Sequence, residues 1–306
     1  MNEGGPSLLS VKDFVDRAKV IEDLKDLESL RKDSIETENF YRELFARRRE
    51  NWEVPELDDN FHYLIDVFSN GASERSSTEV FKCFPKFKED DVPRVFPLKT
   101  RLEAGELGIV PCLQEFHQSW NILTEDCLRF LDWTNVLAAG GAVAGCLAPL
   151  PERILNVKGF GPQRTARRKY FHDEYLPGSD IDLFLYGIDE QQAKEKLLEI
   201  YDAVQAASPF PVRAFRSTHA ITLVSQYPFR HVQIILRIYN SASEVLCGFD
   251  VDSCAVGYNG SKVVVPPRTA MAIMTQSNTV DMSRRSPSYE TRLAKVSYLG
   301  DNFMMQ

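Results

Sequence analysis

The sequence predicts an α+β fold, in which a mixed β-sheet is flanked by helices and preceded by a helical N-terminal region. Apolar residues recur at helical spacing through much of residues 1–105. Between residues 106 and 306, short alternating or β-branched segments are interspersed with helical ones, as expected for a sheet that helices cover. We therefore divide the chain into a helical N-terminal region, residues 1–105, and a second region, residues 106–306.

The composition is that of an ordinary globular protein. The chain has 306 residues, of which 43% are hydrophobic, and its formal net charge is −8 at pH 7. This acidity argues against broad coating of nucleic acids, although it leaves room for a local basic groove. No apolar run is long enough for a membrane span, and residues 1–10 lack the apolar core of a signal peptide. We expect an intracellular protein, cytoplasmic or nuclear, that does not bind membranes.

The N-terminal region begins with a helix signature. Ser10 followed by Asp13 resembles a capping box, and apolar residues then recur every three or four positions. The pattern predicts one long helix or a broken pair over residues 11–50, and a further helix over residues 61–68. We expect these helices to pack on the second region or to serve as an arm that binds partner helices.

A pair of acids opens the most apolar strand of the second region. Residues 178–187 read GSDIDLFLYG, so Asp180 and Asp182 share one face of a strand while Ile181 and Leu183 share the other. Neighbouring carboxylates repel each other unless a cation lies between them, and Mg²⁺ and Mn²⁺ prefer carboxylate oxygens. The pattern indicates a divalent-metal site at the start of a core strand. The alternative is a turn over residues 177–180 that a second acid happens to follow.

Two further stretches extend this pattern. Residues 248–258 read GFDVDSCAVGY, which predicts a second acid strand with Asp250 and Asp252 on one face. Upstream, residues 135–147 read NVLAAGGAVAGCL, as expected for a short strand, a turn at Gly140 and Gly141, and a helix. Such a turn lets phosphate oxygens approach backbone N–H groups. The order along the chain is therefore glycine turn, acid pair and later acid strand.

This order resembles the DNA polymerase β-like nucleotidyltransferase superfamily, whose pattern is a strand ending in a glycine turn, an acid-x-acid strand, and a third acid on a neighbouring strand. Residues from about 105 to 300 are most similar to a poorly characterised eukaryotic family, mainly fungal and often found beside ankyrin repeats. The similarity lies in the segments SDIDLFLYG (179–187), ITLVSQYP (221–228), RHVQI (230–234), GFDVD (248–252) and RRSPSYE (284–290). It implies that residues 106–306 form a nucleotidyltransferase-like catalytic domain.

The resemblance implies transfer of a nucleoside monophosphate (NMP) from a nucleoside triphosphate (NTP), such as ATP, to a hydroxyl acceptor, with release of pyrophosphate. Two Mg²⁺ or Mn²⁺ ions would lie about 4 Å apart. Asp180 and Asp182 would bridge both ions. Asp250 or Asp252 would be the third acid, which binds the ion near the attacking hydroxyl and favours its deprotonation, and we favour Asp250 as this third metal ligand. The residues implied for nucleotide binding are Gly140, Gly141, Ser179, Arg284 and Arg285.

The chain departs from the superfamily pattern between the glycine turn and the acid pair. About 40 residues separate them instead of roughly a dozen, and Ala142 follows Gly141 where many relatives carry a phosphate-binding serine. The triphosphate contact is then left to the backbone or to Ser179. The inserted residues 149–177 predict a mobile loop that either contacts phosphates or forms a solvated surface. Its basic residues are Arg153, Lys158, Arg164, Arg167, Arg168 and Lys169.

Two other functions fit parts of the sequence. A metal-dependent glycosyltransferase would use an Asp-x-Asp pair to hold Mn²⁺ and a nucleotide sugar, but it requires neither the glycine turn nor a second acid strand. A catalytically silent nucleotide-binding scaffold would keep the fold alone. For nucleotidyl transfer, the sequence leaves three classes of acceptor open, namely RNA 3′ ends, a protein hydroxyl, and a small molecule or second nucleotide.

Overall fold

The structure is a computed structural model that describes residues 8–49, 59–69, 77–84 and 102–298. The remainder of the predicted N-terminal region and residues 299–306 lie outside the described residues. Within the described ranges the chain forms ten α-helices: α1 (Val11–Ala18), α2 (Leu24–Arg49), α3 (Leu113–Thr124), α4 (Gly141–Leu147), α5 (Glu152–Leu155), α6 (Phe160–Lys169), α7 (Glu190–Ala207), α8 (Ala242–Cys247), α9 (Pro267–Thr275) and α10 (Tyr289–Tyr298). It also forms eight strands: β1 (Ile65–Asp66), β2 (Val136–Ala139), β3 (Ile181–Tyr186), β4 (Arg213–Arg216), β5 (Ala220–Val224), β6 (Val232–Tyr239), β7 (Gly257–Tyr258) and β8 (Val263–Val265).

These eight strands belong to one sheet, in the order β1-β8-β7-β2-β3-β6-β5-β4. Strands β3 and β6 run parallel, whereas the other neighbouring pairs are antiparallel. The prediction of a mixed sheet flanked by helices is therefore confirmed.

The two faces of the sheet pack against different elements. On one face, Ile181, Leu183 and Leu185 of β3 join the larger apolar cluster with residues of α3, α4 and α7. On the other face, Phe184 and Tyr186 join a smaller cluster with residues of α8. Because side chains alternate along a strand, Asp182 lies on the same face as Phe184.

The N-terminal helices form the broken pair that the sequence allowed. Helix α1 ends at Ala18 and α2 begins at Leu24, and the Asp13 N–H donates a 3.0 Å hydrogen bond to the Ser10 hydroxyl that caps α1. The helix predicted over residues 61–68 is wrong. Tyr63 has a φ of 65°, which is incompatible with a right-handed helix, and β1 pairs with β8 instead. The sheet thus includes a strand from the N-terminal region.

The strand, glycine turn and helix predicted over residues 135–147 are all present in the second region. Strand β2 is followed by the glycine turn and α4. Asp189 and Gln192 form a reciprocal capping box at the start of α7, and the turn at Asn259 and Gly260 joins β7 to β8. No helix in the described ranges is both long and apolar enough to cross a membrane.

The insertion between the glycine turn and the acid pair is helical, so the mobile loop predicted for residues 149–177 is wrong. It contains α5, α6 and a π-helical segment, Tyr170–Tyr175. Two of its arginines pair with acids on α3 or just after it: Arg167 lies 2.9 Å from Glu115, and Arg168 pairs with Glu125. These partners lie 52 and 43 residues away in the chain, so the insertion's own residues do not reveal them.

The strand predicted to carry Asp250 and Asp252 is also wrong. Asp250 lies in a bend after α8, and Asp252 begins a 3₁₀ helix, Asp252–Cys254. The cause is the buried side chain of Arg268. It donates hydrogen bonds of 2.8 Å to the Asp252 carboxylate and of 2.9 Å to the carbonyls of Leu246 and Phe249, and these contacts curl the segment around it.

Candidate active site

A cavity of about 720 Å³ opens on the face of the sheet that carries Asp182. Strands β3 and β6 form its floor. Its walls are the glycine turn, the residues before β3, the bend after α8 and the C-terminal segment. Small-molecule sites in proteins commonly have volumes of about 300–1,000 Å³. The cavity therefore has room for a small organic ligand.

The predicted acid pair lies in this cavity. Asp180 and Asp182 both line it, and they share one face of the chain because they are two residues apart at the start of β3. The Gln233 side-chain amide donates a 2.6 Å hydrogen bond to Asp180, and His231 Nδ1 lies 3.6 Å from Asp180 Oδ1. The Asp180 side chain remains 36% exposed, so a ligand in the cavity can reach it.

The glycine turn meets the acid pair at the cavity wall. Gly140 has a φ of 100°, which favours glycine. A methyl group on its Cα would lie 3.6 Å from Asp182 Oδ2 and 3.5 Å from the Phe249 ring, whereas one on Gly141 would meet no atom within 4 Å. The main chain of the turn is therefore open to the cavity beside Asp182.

Of the two candidates for a third acid, Asp250 lines the cavity and Asp252 does not. The Asp250 carboxylate accepts hydrogen bonds from Arg292 and, at 3.1 Å, from the Ser286 hydroxyl. Asp252 is only 6% exposed, and its carboxylate accepts hydrogen bonds from Arg268 and from the Thr279 N–H. The choice of Asp252 as an alternative metal ligand is thus at odds with its position.

The predicted arginine pair is divided between the cavity wall and the surface. Arg284 lines the cavity, yet its guanidinium lies 3.0 Å from both Glu38 and Asp281 and also donates to a backbone carbonyl. Arg285 pairs with Glu290 at 2.6 Å and does not line the cavity. These contacts conflict with the expectation that both guanidinium groups hold a triphosphate, and they make Arg284 a link between α2 and the cavity wall.

Two arginines that the sequence did not single out shape the site. Arg292 lines the cavity and pairs with Asp250, 42 residues away in the chain. Arg230 is 8% exposed, and burial lowers its pKa. It donates to the carbonyls of Phe171, Leu176 and Ser179, and so fixes the segment that leads into β3. Ser179 lines the cavity, as predicted for a contact residue. Arg230 begins the RHVQI segment of the resemblance, whereas no local motif marks Arg292.

The cavity also has an apolar side. Phe184 and Phe249 lie with their ring centroids 5.8 Å apart, and three further apolar or aromatic residues continue this wall, namely Ile235, Tyr239 and Val245. Flat rings in such a wall suit contact with a planar aromatic group. One part of the cavity is therefore lined by carboxylates and another part by aromatic rings.

The donor set of the cavity fits a hard divalent cation. Among the described residues, no group of three or more His, Cys, Asp and Glu side chains is placed to hold a metal ion. Mg²⁺, however, is usually bound by one or two carboxylates together with substrate phosphates and water. Asp180 and Asp182 supply that minimum, and the open cavity leaves space for the remaining ligands.

A mixed sheet, an acid pair and a glycine turn around one cavity define an α+β protein with an acidic cavity. The chain belongs to the Gabija anti-defense 2 (Gad2) family, whose sequence model matches residues 112–276, just over half of the chain. The matched range includes Gly140, Asp180, Asp182 and Asp250, whereas Arg292 lies beyond it.

The chain is also similar to a viral protein. It is 31% identical over 193 residues to the uncharacterized protein R883 of Acanthamoeba polyphaga mimivirus. The match covers 58% of this chain and 37% of the viral protein. The chain thus spans little more than a third of the length of that relative.

Proposed function

We propose that this chain is a divalent-metal-dependent nucleotidyltransferase that moves an NMP from an NTP to a hydroxyl acceptor and releases pyrophosphate. The observation that carries the proposal is the meeting of Asp180, Asp182 and the Gly140 turn at one cavity. Their order along the chain is the one that the resemblance to polymerase β-like enzymes implies. The family name supports a second part of the proposal, that this reaction counters Gabija defence.

Asp180 and Asp182 are the residues that would hold the metal, because both line the cavity and lie two residues apart at the start of β3. A bound Mg²⁺ or Mn²⁺ neutralises phosphate oxygens during transfer. Gly141, beside Gly140 in the turn, leaves space for phosphates against the main chain. Phe184 and Phe249 form an apolar surface suited to the base. Each part of an NTP thus has a matching part of the cavity.

The proposed reaction exchanges one phosphoester bond for another. The acceptor oxygen attacks the α-phosphorus of the NTP, the bond from this phosphorus to the α–β bridging oxygen breaks, and pyrophosphate leaves with the electron pair. We assign Asp250 as the base that takes the acceptor proton. Since Asp250 pairs with Arg292, this role requires the pair to separate, and Arg292 is then free to stabilise the charge on pyrophosphate.

A catalytically silent nucleotide-binding scaffold is the second candidate, and two observations favour it. The resemblance calls for a third acid on the strand beside the acid pair, but β6 carries Gln233 opposite Asp182. In addition, the carboxylate of Asp250 is already paired with a guanidinium. Such a scaffold would bind NTP with the same residues and release no pyrophosphate.

The test is an assay of label transfer and pyrophosphate release with each radiolabelled NTP, Mg²⁺ or Mn²⁺, and acceptor pools of RNA, protein or none. We expect the unmodified chain to release pyrophosphate, and Asp180→Asn and Asp182→Asn to abolish release while the fold survives. Asp202→Asn is the matched control, because Asp202 is an exposed acid on α7 away from the cavity. Full activity in either acid-pair variant would contradict the proposal.

Two further readouts separate the alternatives. Tight NTP binding without turnover in any pool would favour the silent scaffold, and release of a sugar-linked product from a nucleotide sugar would favour a glycosyltransferase. In cells that carry a Gabija system, the unmodified chain should abolish the defence and Asp182→Asn should not. If both proteins abolish the defence equally, the anti-defence role does not depend on the proposed nucleotidyl transfer.

A further inference from the structure

One segment of this acidic chain contains no acid at all. Residues 203–243 include no Asp, Glu or Lys but hold four arginines and two histidines, although the whole chain has 44 acids in 306 residues. At that average density, a stretch of this length would contain about six acids. The segment forms strands β4, β5 and β6, which make up one end of the sheet.

This end of the sheet is continuous with the acid pair. In-register partners on neighbouring strands share a face, and one such row runs from Asp182 on β3 through Gln233 on β6 and Thr222 on β5 to Phe215 on β4. Adjacent strands lie about 4.8 Å apart, so Phe215 stands roughly 14 Å from Asp182 along the row. Arg213 is two residues from Phe215 and shares its face.

The row is open to solvent at its far end. Phe215 is 56% exposed and Arg213 is exposed, whereas the opposite face of the same strands contributes Leu223, Val232 and Ile234 to the main apolar core. Arg213 makes no ion pair with any residue that the structure describes. The basic residues of the 149–177 insertion differ, since Arg153, Arg167 and Arg168 are each paired with an acid.

We propose that the exposed face of β4, β5 and β6 binds the acceptor of the proposed transfer, and that this acceptor is a single-stranded nucleic acid. An exposed ring can stack on an unpaired base, and an unpaired arginine can bind a phosphate. A sheet face that carries aromatic side chains is one of the surfaces on which proteins read single strands. The row leads from Phe215 to Asp182, so a strand on it directs its terminal hydroxyl towards the acid pair. This inference rests on the proposed nucleotidyl transfer.

Binding is tested by fluorescence anisotropy with labelled single-stranded RNA and DNA of about 16 nucleotides, the upper end of the range that a single OB fold covers. The test variant is Arg213→Ala with Phe215→Ala. The matched control is Arg129→Ala with Phe130→Ala, because Phe130 is likewise 58% exposed and the Arg129 guanidinium lies 4.7 Å from its ring centroid, away from the cavity.

We expect the test variant to bind roughly tenfold or more weakly, as expected for losing one stacked base and one phosphate contact. The control variant should match the unmodified chain. The double variant Arg213→Lys with Phe215→Trp keeps a cation and an aromatic ring, so it should retain most of the affinity. This recovery would show that the alanine variant lost side-chain contacts and not its fold. Equal affinities of test and control variants for both oligonucleotides would overturn the inference.

A second readout separates this inference from the proposed function. Asp182→Asn should keep its oligonucleotide affinity while losing incorporation of labelled NMP at the oligonucleotide 3′ end. In another outcome, oligonucleotide affinity depends on Arg213 and Phe215, but the unmodified chain incorporates no NMP. This result would contradict nucleotidyl transfer and would still support the proposed binding surface. If the label enters protein or free nucleotide and the oligonucleotide stays unlabelled, the assignment of a nucleic-acid acceptor is wrong, whereas the proposed nucleotidyl transfer is supported.

Discussion

Asp182 on β3 and Gln233 on β6 are in-register partners in the parallel part of the sheet, and the Gln233 amide donates a 2.6 Å hydrogen bond to Asp180. The strand beside the acid pair therefore carries a hydrogen-bond donor at this position and not an acid. One consequence is that the Asp180 carboxylate is stabilised in part by a neutral amide. Another is that any third carboxylate for catalysis must come from across the cavity, where Asp250 lies.

Gln233→Glu should make the stability of the chain depend on divalent cations. The new carboxylate would lie against Asp180 and repel it. We therefore expect the free energy of unfolding to fall by about 1–3 kcal/mol in the presence of EDTA. Mg²⁺ or Mn²⁺ should restore the thermal midpoint of this variant more than that of the unmodified chain. Gln226→Glu is the control, since Gln226 is exposed and does not line the cavity. Equal cation effects on the two variants would contradict a cation site at the acid pair.

Asp252 should prove structural and not catalytic. It belongs to a buried network in which Arg268 pairs with both Asp252 and Glu38, at 2.8 and 2.9 Å. Removing one partner of a buried ion pair costs about 3–5 kcal/mol, so Asp252→Ala should lose that much free energy of unfolding in urea. Its Mn²⁺ affinity, measured by calorimetry on the folded protein, should stay the same. A large loss of Mn²⁺ affinity with unchanged stability would return Asp252 to the metal site.

The two acid stretches show when a local sequence pattern predicts a strand correctly and when it does not. The alternation around Asp180 and Asp182 predicts the strand correctly, because Ile181 and Leu183 have a core to enter on the opposite face. The same alternation around Asp252 is misleading. Arg268, 16 residues later in the chain, bends that segment by bonding to it, and no short-range pattern contains this information.

Ion pairs between residues far apart in the chain explain why the sequence alone does not show which charged side chains are free. The insertion's arginines were expected in a mobile loop, yet the partner acids of Arg167 and Arg168 lie on and just after α3. Likewise, the face that Phe215 on β4 shares with Asp182 follows from the register of three strand pairs. The sequence therefore predicts elements and the acid pair, whereas tertiary contacts decide which charges reach the cavity.

The contact between the insertion and α3 should weaken in acid. Burial alone would raise the pKa of Glu125, but hydrogen bonds from His172 and Arg168 bring it below its ordinary value of 4.5. An acid with a depressed pKa stabilises the fold above its unfolded-state pKa, and this stabilisation is lost as the pH falls through the folded-state value. Glu125→Gln should therefore be less stable than the unmodified chain at pH 7, and the difference should shrink as the pH falls below 4.5. Urea unfolding across this range provides the measurement, and a difference that grows in acid would contradict it.

Cys112 should be the first cysteine to be alkylated in the folded chain. It is exposed, whereas burial raises the pKa of Cys83 and Cys254 to about 11 and of Cys127 to about 12. At pH 8 a thiol with a pKa of about 11 is roughly one part in a thousand thiolate, the reactive form. Mass spectrometry after brief treatment with iodoacetamide should find one adduct, on Cys112, and six after denaturation. Rapid labelling of Cys254, which lines the cavity, would show that this wall opens in solution.

The central claim is that Asp180 and Asp182 together hold the cation that accompanies an NTP. Its most direct test is anomalous diffraction from crystals grown with Mn²⁺ and a non-hydrolysable NTP analogue. We predict an Mn²⁺ peak in contact with carboxylate oxygens of both residues and with the phosphates, and its absence from crystals of Asp182→Asn. An analogue bound elsewhere, or a peak that touches neither carboxylate, would contradict the account.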